Sequence, residues 1–338
     1  MKRKILWILS FALIFTLAFT GCAQDASTTP SDSTNAPADG TASTDDTETK
    51  HYKFGITFQT LDNQHWLRMQ KGIEDNLKEG DELIVLNAKY DSALQISQVE
   101  DLISKGCDAI FVVPVDGAAI QNALKSCEKA NIPVFAIDIE PDTREYTKSV
   151  VVTDNYQAGV LMGEALIRES GGEAKVGVLA FDAVEAARLR IEGFKDTIAN
   201  EPGIEIVIEQ DAMPSTEEGY PVLENMLQAK PEITDFVCVN DLQAFAGIQV
   251  CKGANRPDIR IYAVDGNPDA AKAFLEGTMT GTAAQFPDKE GQKALELAYQ
   301  YLSGDTEMEE AYLIAPEWID KSNAQEYLDS IAASGAEV

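Results

Sequence analysis

Short apolar runs alternate with amphipathic stretches along the chain from His51 onward. The first four runs are YKFGITF, ELIVLNA, AIFVVPV and PVFAIDI. Their near-continuous apolar character is typical of parallel strands that are covered on both faces. Between the runs apolar side chains recur at helical spacing, as at Ile120, Leu124 and Cys127. This alternation predicts a doubly wound α/β fold, with helices on both faces of a parallel sheet.

The same alternation then begins a second time. The further runs are SVVVTDN, KVGVLAF, EIVIEQD, DFVCVND, RIYAVDG and GTAAQF, again separated by stretches of helical periodicity. Two successive βαβ arrays predict two similar lobes with parallel sheets. We expect the chain to pass from the first lobe to the second between Val150 and Asn155.

The first 22 residues follow a different pattern. Three cations, Lys2 to Lys4, precede an apolar run that is shorter than the ~20 residues a membrane-spanning helix needs, which is typical of an export signal. The end of the run, AFTGC, resembles a bacterial lipobox with Cys22 as the lipidated residue, although Phe19 stands where leucine is usual. An uncleaved membrane anchor is the alternative. Both interpretations place the remaining chain outside the cytoplasm, held at a membrane.

Residues 23–50 are rich in Ser, Thr, Asp and Pro and contain almost no apolar side chain larger than Ala. Such a segment cannot bury enough surface to offset the entropy of ordering it, so we expect a disordered acidic linker. The linker would tether the folded region to a lipid anchor on the outer face of the cell membrane.

Composition narrows the class of protein. The chain is 45% hydrophobic and carries a net charge of −29, which argues against binding of nucleic acid or anionic lipid. Four cysteines follow Cys22, namely Cys107, Cys127, Cys238 and Cys251. Cys127 and Cys251 continue apolar stripes of predicted helices, so buried free thiols are favoured. Disulfides are the alternative in an exported protein, and a metal site is the least favoured because no Cys-x-x-Cys or paired His spacing occurs.

Polar residues stand where several predicted strands end. They are the stretch from Gln59 to Asn63, Asp138, Asn240 with Asp241, Asp265 and Gln285. In open parallel sheets, ligands bind at the carboxyl ends of the strands. The alternative for a single position, such as Asp241, is a helix cap. The whole set predicts one polar cleft between the two lobes.

From about Tyr52 to Leu328 the chain resembles the sugar-binding periplasmic-type proteins of ABC importers, close to their ribose-binding branch. The motifs that carry the resemblance are QISQVEDLISKGCDAIFVVPVDGAAI, ANIPVFAID, TDNYQAG, AARLRIEGF, VNDLQAFAG, VDGNPDAAKAF and AAQFPDKEGQKA. The resemblance implies two Rossmann-like lobes joined by three crossovers near Thr153, at Gln285 to Phe286, and at Leu313 to Ala315. The implied lobes are residues 51–153 with a return segment 286–313, and residues 154–285 with a C-terminal segment 314–338.

Strand ends and resemblance together predict a set of ligand-binding residues. The set is Gln59, Asn63, His65, Trp66, Asp138, Arg188, Asn240, Asp265 and Gln285. The resemblance implies that Asp138 clasps sugar hydroxyls and that Arg188 faces it from the opposing lobe. Three departures put ribose itself in question: Gln64-His65-Trp66 replaces an aromatic pair, Ile139 replaces an arginine, and Pro214 and Val264 replace flanking aromatics.

Each of these assignments has a plainer alternative. Trp66 fits the apolar stripe of a helix and His65 could be a solvated helical residue. Arg188 and Arg190 could form an exposed basic pair. The acidic series from Asp265 to Glu276 has calcium-loop spacing, but Ala270 stands where such a loop needs glycine, so no metal is predicted.

An enzyme is not favoured. The chain has two histidines and lacks a Gly-x-Ser-x-Gly elbow, a phosphate-binding glycine loop and a dinucleotide fingerprint. A glycosidase using Asp138 and Asp265 is the formal enzymatic alternative. No cofactor is predicted. The sequence instead predicts a monomeric solute-binding lipoprotein that captures a monosaccharide or polyol by hinge closure and delivers it to an ABC permease and its ATPase. The non-enzymatic alternative is a receptor that presents its ligand to a membrane chemosensor or sensor kinase.

Overall fold

Two six-stranded sheets, each covered by helices, organise the chain in a computed structural model that describes residues 50–62 and 64–333. The predicted leader, Cys22, the linker up to Thr49 and Asn63 lie outside the described residues. Within the described part, no helix is both long enough and apolar enough to cross a membrane.

The first sheet and its helices form the N-terminal lobe. Its elements are β1 (Lys53–Phe58), α1 (Gln64–Glu74), β2 (Glu82–Asn87), α2 (Ser92–Ser104), β3 (Ala109–Val112), α3 (Gln121–Lys129), β4 (Val134–Ile137) and β5 (Ser149–Thr153).

The second sheet and its helices form the C-terminal lobe. Its elements are α4 (Asn155–Ser170), β6 (Ala174–Ala180), α5 (Glu185–Ile198), β7 (Ile204–Asp211), α6 (Thr216–Ala229), β8 (Asp235–Cys238), α7 (Asp241–Gly253), β9 (Arg260–Asp265), α8 (Pro268–Glu276) and β10 (Gly281–Ala284).

The last elements are shared between the lobes. Helix α9 (Pro287–Leu302) packs on α1, and β11 (Ala311–Ile314) joins the first sheet beside β5. Strand β12 (Glu317–Asp320) joins the second sheet, and α10 (Ala324–Ala333) packs on α8. The chain therefore passes between the sheets three times: after β5, after β10 and after β11.

The two sheets have equivalent strand orders and differ in the direction of one edge strand. The strand orders are β11-β5-β4-β3-β1-β2 and β12-β10-β9-β8-β6-β7. All neighbouring strands are parallel except β10 and β12, which pair in the antiparallel direction. Parallel order brings the carboxyl ends of the central strands to one edge of each sheet, where loops collect polar side chains.

The α/β class and the ten strands predicted from apolar runs are confirmed. One detail was wrong: ELIVLNA was expected to be buried on both faces, but β2 is half-exposed because it is the edge strand of its sheet. Strands β11 and β12 were not predicted. Their sequences, AYLI and EWID, are short and only partly buried, so they carry no strong apolar signal.

Reciprocal glycines bring two helix pairs into close contact. A methyl group on Gly159 of α4 would overlap the Arg190 carbonyl oxygen, and one on Gly193 of α5 would overlap the carbonyl oxygen of Tyr156. In the other lobe, Gly72 of α1 and Gly291 of α9 meet the opposite backbone in the same way. Only glycine permits such an approach, and these four helices carry residues of the site described below.

The four described cysteines are buried free thiols, which confirms the favoured prediction and not the disulfide alternative. Burial raises the pKa of Cys107 and Cys251 to about 11 and that of Cys127 to about 12. The pKa of Cys238 is also raised by burial. These thiols therefore act as small apolar side chains of the core.

Candidate functional site

A cavity of about 800 Å³ lies where residues that follow strands of both sheets face each other. It is lined by six of the residues predicted from sequence: His65, Trp66, Asp138, Asn240, Asp265 and Gln285. The volume is within the range of small-molecule sites. The cavity thus joins side chains from the two lobes and from the segment between β10 and α9.

Asp138 dominates the wall contributed by the N-terminal lobe. It directly follows β4 with a left-handed φ of 62°, and its amide donates to the Val151 carbonyl oxygen at 2.8 Å. His65, in the first turn of α1, places Nε2 3.0 Å from Asp138 Oδ1. The imidazole and the carboxylate are both mostly shielded, with exposed fractions of 16% and 15%. The backbone therefore aims Asp138 into the cavity and His65 fixes one of its oxygens.

Trp66 lies at the boundary between the core of the N-terminal lobe and the cavity. Its ring is 6% exposed, packs with the core of the N-terminal lobe and lies 6.5 Å from the Phe58 ring. It also lines the cavity and meets His65 edge to face at 4.7 Å between ring centroids. Trp66 therefore packs in the core, as the alternative had it, and also lines the cavity, while its contact with a ligand stays a prediction.

Arg190 and Asp265 form the opposite wall. Arg190 Nε donates to Asn155 Oδ1 at 2.8 Å, and Nη1 donates to the Val239 carbonyl oxygen at 2.8 Å and to Asp265 Oδ1 at 3.3 Å. Gln285 Nε2 also donates to Asp265 Oδ1, at 2.8 Å. These bonds hold Asp265 through one oxygen, in a wall that needs no ligand to keep its shape.

Arg188 does not line the cavity, so the prediction placed the cleft arginine two residues too early. Arg188 is exposed, and its Nη1 donates to the Asp182 carbonyl oxygen at 2.6 Å. Two residues along a helix turn a side chain by about 200°, so Arg188 and Arg190 point to different sides. The buried stripe through Ala187, Ile191 and Phe194 includes Arg190, and this periodicity is visible in the sequence.

Two other predicted residues, Gln59 and Asn240, are engaged in hydrogen bonds with the protein itself. Gln59 is not among the cavity-lining residues; its Nε2 donates to the Pro114 carbonyl oxygen at 2.5 Å. Asn240 lines the cavity, but it also caps α7 through a bond from the Gln243 amide and donates to Pro214. The capping alternative therefore applies to Asn240, whose neighbour Asp241 is the buried first residue of the helix.

Asn155 was not singled out from sequence, although it follows the crossover from β5 directly. It lines the cavity, donates to the Thr153 carbonyl oxygen at 3.1 Å and accepts from Arg190. Phe181 and Phe245 also line the cavity and supply apolar surface. The quoted stretches KVGVLAF and VNDLQAFAG contain these rings but do not indicate that they face a cavity, because each ring enters the site through the packing of the C-terminal lobe.

Several buried carboxyl groups surround this site. Burial raises the pKa of Asp265, against the opposing effects of Arg190 and His65. Burial and the neighbouring charge of Asp265 raise the pKa of Asp241 to about 8. Burial and the charge of Asp138 raise the pKa of Glu290, which lies in α9, well above its ordinary value. The site therefore holds carboxyl groups that ionise reluctantly.

Metal-ligand geometry occurs at one place in the described residues. One possible ligand atom from each of His65, Asp138 and Glu290 lies within 4.8 Å of the other two. Two of these side chains line the cavity itself. The acidic series from Asp265 to Glu276 does not form such a group, because Pro268 and Asp269 begin helix α8.

Comparisons with known proteins agree with this architecture. Residues 54–306 match the family model described as periplasmic binding protein domain. The chain is 32% identical over 257 residues to the ribose import binding protein of Bacillus subtilis, covering 75% of this chain and 83% of that protein.

Solved structures give the same picture. A periplasmic solute-binding protein of an ABC transporter from Actinobacillus succinogenes with bound D-allose superposes with a TM-score of 0.74 at 28% identity, covering 82% of this chain and all of that one. A solute-binding protein from Bacillus halodurans with bound myo-inositol superposes with a TM-score of 0.72 at 26% identity, covering 82% and 97% of the two chains.

Proposed function

Because this chain belongs to the periplasmic binding protein family, in its type I sugar-binding branch, we propose that it captures a monosaccharide or related polyol and delivers it to an ABC importer. The relatives are binding proteins of transporters, and the chain is a binding protein of the same kind, not an enzyme. The observation that carries the proposal is the convergence of Asp138 from one lobe with Asp265 and Arg190 from the other on one cavity.

The chemistry of the cavity suits a polyhydroxylated ligand. Sugar hydroxyls both donate and accept, so they complement carboxylate acceptors and guanidinium or amide donors. Hydrogen bonds to charged partners contribute roughly 1.5 to 3 kcal/mol each. Asp138, Asp265 and Arg190 are such partners, while the Trp66 ring offers an apolar face for C–H groups. A few contacts of this kind suffice for micromolar affinity, which needs about −8 kcal/mol.

Capture would proceed by closure of the two lobes. The chain crosses between the sheets at three places, which can act as a hinge. A ligand favours the closed form because only there do Asp138 and Arg190, on different lobes, both reach it. Closure also removes water from the charged contacts and thereby strengthens them.

The same proposal includes the place of action. The basic and apolar leader that ends in Gly21-Cys22 supports lipidation of Cys22, with residues 23–50 as the tether. A protein held in this way captures its ligand outside the cytoplasm, next to the permease that receives it. Mass spectrometry of the protein from membranes tests this part, since an unmodified, uncleaved leader would contradict it.

The test of capture is ligand-induced thermal stabilisation. The purified protein is screened against pentoses, hexoses, polyols and inositols, and we expect Tm to rise with at least one of them. In Arg190→Lys the ligand affinity should fall about tenfold or more, because a lysine cannot reproduce the guanidinium contacts. The rise in Tm at a given ligand concentration should therefore be smaller than in the native protein. Arg188→Lys is the matched control two residues away and should respond like the native protein.

Two outcomes would contradict the proposal. One is the absence of stabilisation by any compound of the panel. The other is an equal loss of ligand response in Arg188→Lys and Arg190→Lys, which would show that the cavity described here is not the site of capture. The glycosidase alternative is excluded if glycosides incubated with the protein give no product.

A further inference from the structure

The cavity carries more carboxylates than permanent cations. Its acidic lining residues are Asp62, Asp138, Asp265 and Asp269, and its permanently cationic ones are Arg190 and Lys272. Ligand sites are expected to complement the charge of what they bind, since unmatched charges of one sign in a shielded cleft repel each other. The positions of these six charged groups therefore indicate which charge the ligand carries and where.

Both cations belong to the C-terminal lobe and are engaged there. Lys272 pairs with Asp269 at 3.2 Å on an exposed part of α8, and Arg190 is held by Asn155, Val239 and Asp265. On the opposite wall, the residue after Asp138 is the uncharged Ile139. Among the described residues, no lysine or arginine forms an ion pair with Asp138, whose partner at 3.0 Å is the imidazole of His65.

A second carboxyl group lies behind Asp138. Glu290 is completely buried in α9; its Oε1 accepts from Thr153 Oγ1 at 2.6 Å, and its Oε2 has no hydrogen-bond partner among the described residues. One carboxylate oxygen each of Glu290 and Asp138 and one ring nitrogen of His65 lie within 4.8 Å of one another. Burial of a carboxyl group is costly, and the charge of Arg190 offsets only part of that cost for Glu290. A positive charge placed beside Asp138 would offset more of it.

We propose that the preferred ligand is an amino sugar or aminopolyol whose ammonium group lies against Asp138. Glu290, which lies on the far side of Asp138 from the cavity, is a positioning residue that increases the preference for a positively charged ligand. The inference rests on the proposed capture of a polyol and specifies its class. An ammonium group donates three hydrogen bonds and carries the charge that the N-terminal wall lacks, whereas a neutral hydroxyl in its place leaves the two carboxyl groups uncompensated.

Matched pairs of compounds test the charge preference. Calorimetric titrations of the chelator-treated protein use D-glucosamine, D-galactosamine, D-mannosamine and scyllo-inosamine, each against its neutral parent sugar or inositol. We expect at least one amine to bind about tenfold or more tightly than its parent, the ratio typical of one charge-assisted contact.

Two variants assign the preference to Glu290. Glu290→Gln keeps the shape and the acceptor for Thr153 but removes the carboxyl, so the ratio of amine to parent affinity should fall about tenfold. Glu296→Gln, an exposed position on the same helix with an exposed fraction of 63%, removes the same charge outside the cavity and should leave the ratio unchanged.

The other outcomes overturn the inference. Neutral parents that bind as tightly as every amine would remove the charge preference and leave polyol capture standing. Failure of all four pairs would also overturn it, and capture would then be judged on the wider panel of neutral compounds. A third outcome is that a divalent ion stabilises the native protein but not Glu290→Gln, and abolishes the amine preference. That result would assign the position beside Asp138 to a metal ion and not to an ammonium group.

Discussion

Two aspartates of the cavity adopt backbone conformations that ordinary residues avoid. Asp138 has a φ of 62° and Asp265 a φ of 139°, each at the carboxyl end of its strand. Hydrogen bonds impose these conformations, from the Asp138 amide to Val151 and from the Gln285 amide to the Asp265 carbonyl oxygen. Strain of this kind concentrates at functional sites, where the surrounding sheet holds it in place. The two carboxylates are therefore aimed before a ligand arrives.

Substitution of Asp138 separates its backbone role from its ligand role. Asparagine tolerates left-handed φ and alanine does not, so Asp138→Asn should keep the free energy of unfolding and Asp138→Ala should lower it by about 1 kcal/mol. Both variants should lose most of the ligand-induced rise in Tm, because both lack the carboxylate. Urea unfolding at pH 7 with and without ligand measures both effects. Equal unfolding free energies of the two variants would contradict the backbone argument.

The sequence predicts the aspartates of this site better than its arginine. A polar residue directly after a buried strand identifies Asp138 and Asp265, since strand ends are marked by where the apolar run stops. A helical residue needs the phase of the helix as well, and an error of two positions turns Arg188 to the outside. Glu290 carried no signal at all, because its importance comes from the packing of α9 against the N-terminal lobe.

At the scale of elements, close helix pairs position the site. Helix α5 carries Arg190 and α4 carries Asn155, and the two meet through Gly159 and Gly193. Helix α1 carries His65 and α9 carries Glu290, and these meet through a second pair of glycines. The backbones approach closely enough that side-chain hydrogen bonds can cross from one helix to the next. A close helix contact through two glycines therefore positions side chains in both walls of the cavity.

A methyl group at one contact should displace a wall. Gly193→Ala would overlap the Tyr156 carbonyl oxygen, so α5 must move; we expect a loss of roughly 1 to 3 kcal/mol in unfolding free energy and a weaker ligand response. Gly219→Ala on α6 is the control, because its methyl group would meet nothing closer than 3.5 Å and alanine favours a helix by about 1 kcal/mol. Thermal unfolding with and without ligand compares the two. A stable Gly193→Ala variant with native ligand response would show that the contact does not position Arg190.

Element prediction from sequence succeeded where the apolar run is buried or long. Eight of the ten predicted strands are interior strands that helices cover on both faces, and the edge strands β2 and β7 are long enough, at six and eight residues, to be recognised. Strands β11 and β12 escaped prediction because they lie at sheet edges, where pairing with β5 and β10 supplies the stabilisation and the side chains remain partly exposed. Their pairing depends on distant parts of the chain, which a local pattern does not contain.

At the scale of the whole molecule, acids with raised pKa lie in the cavity or are buried close to it. Burial is the main cause that raises the pKa of Asp241, Asp265 and Glu290. Outside the cavity, surface pairing lowers the pKa of Asp258 through Arg256 and that of Glu205 through Lys175. The two sets have opposite effects on how stability depends on pH, and only the buried set lies close to the cavity.

The buried set should make the ligand-free protein less stable at alkaline pH. A carboxyl group whose pKa is higher in the folded state binds more protons folded than unfolded, so stability falls as pH rises from its unfolded pKa to its folded one. For Asp241 this window extends from 3.8 to about 8. The net charge of −29 adds repulsion that acts in the same direction, so a fall in Tm between pH 5 and pH 8.5 does not by itself identify the buried acids.

Two variants of equal charge distinguish these causes. In Glu290→Gln the group that resists ionisation is gone, so Tm should match the native protein near pH 5 and exceed it at pH 8, where a one-unit rise in pKa corresponds to about 1.4 kcal/mol. In Glu296→Gln the net charge changes by the same amount at an exposed position, and the pH profile should stay native. Thermal unfolding from pH 4.5 to 8.5 measures all three proteins. Parallel profiles of the two variants would assign the alkaline loss to overall charge and would mean that Glu290 ionises freely within the fold.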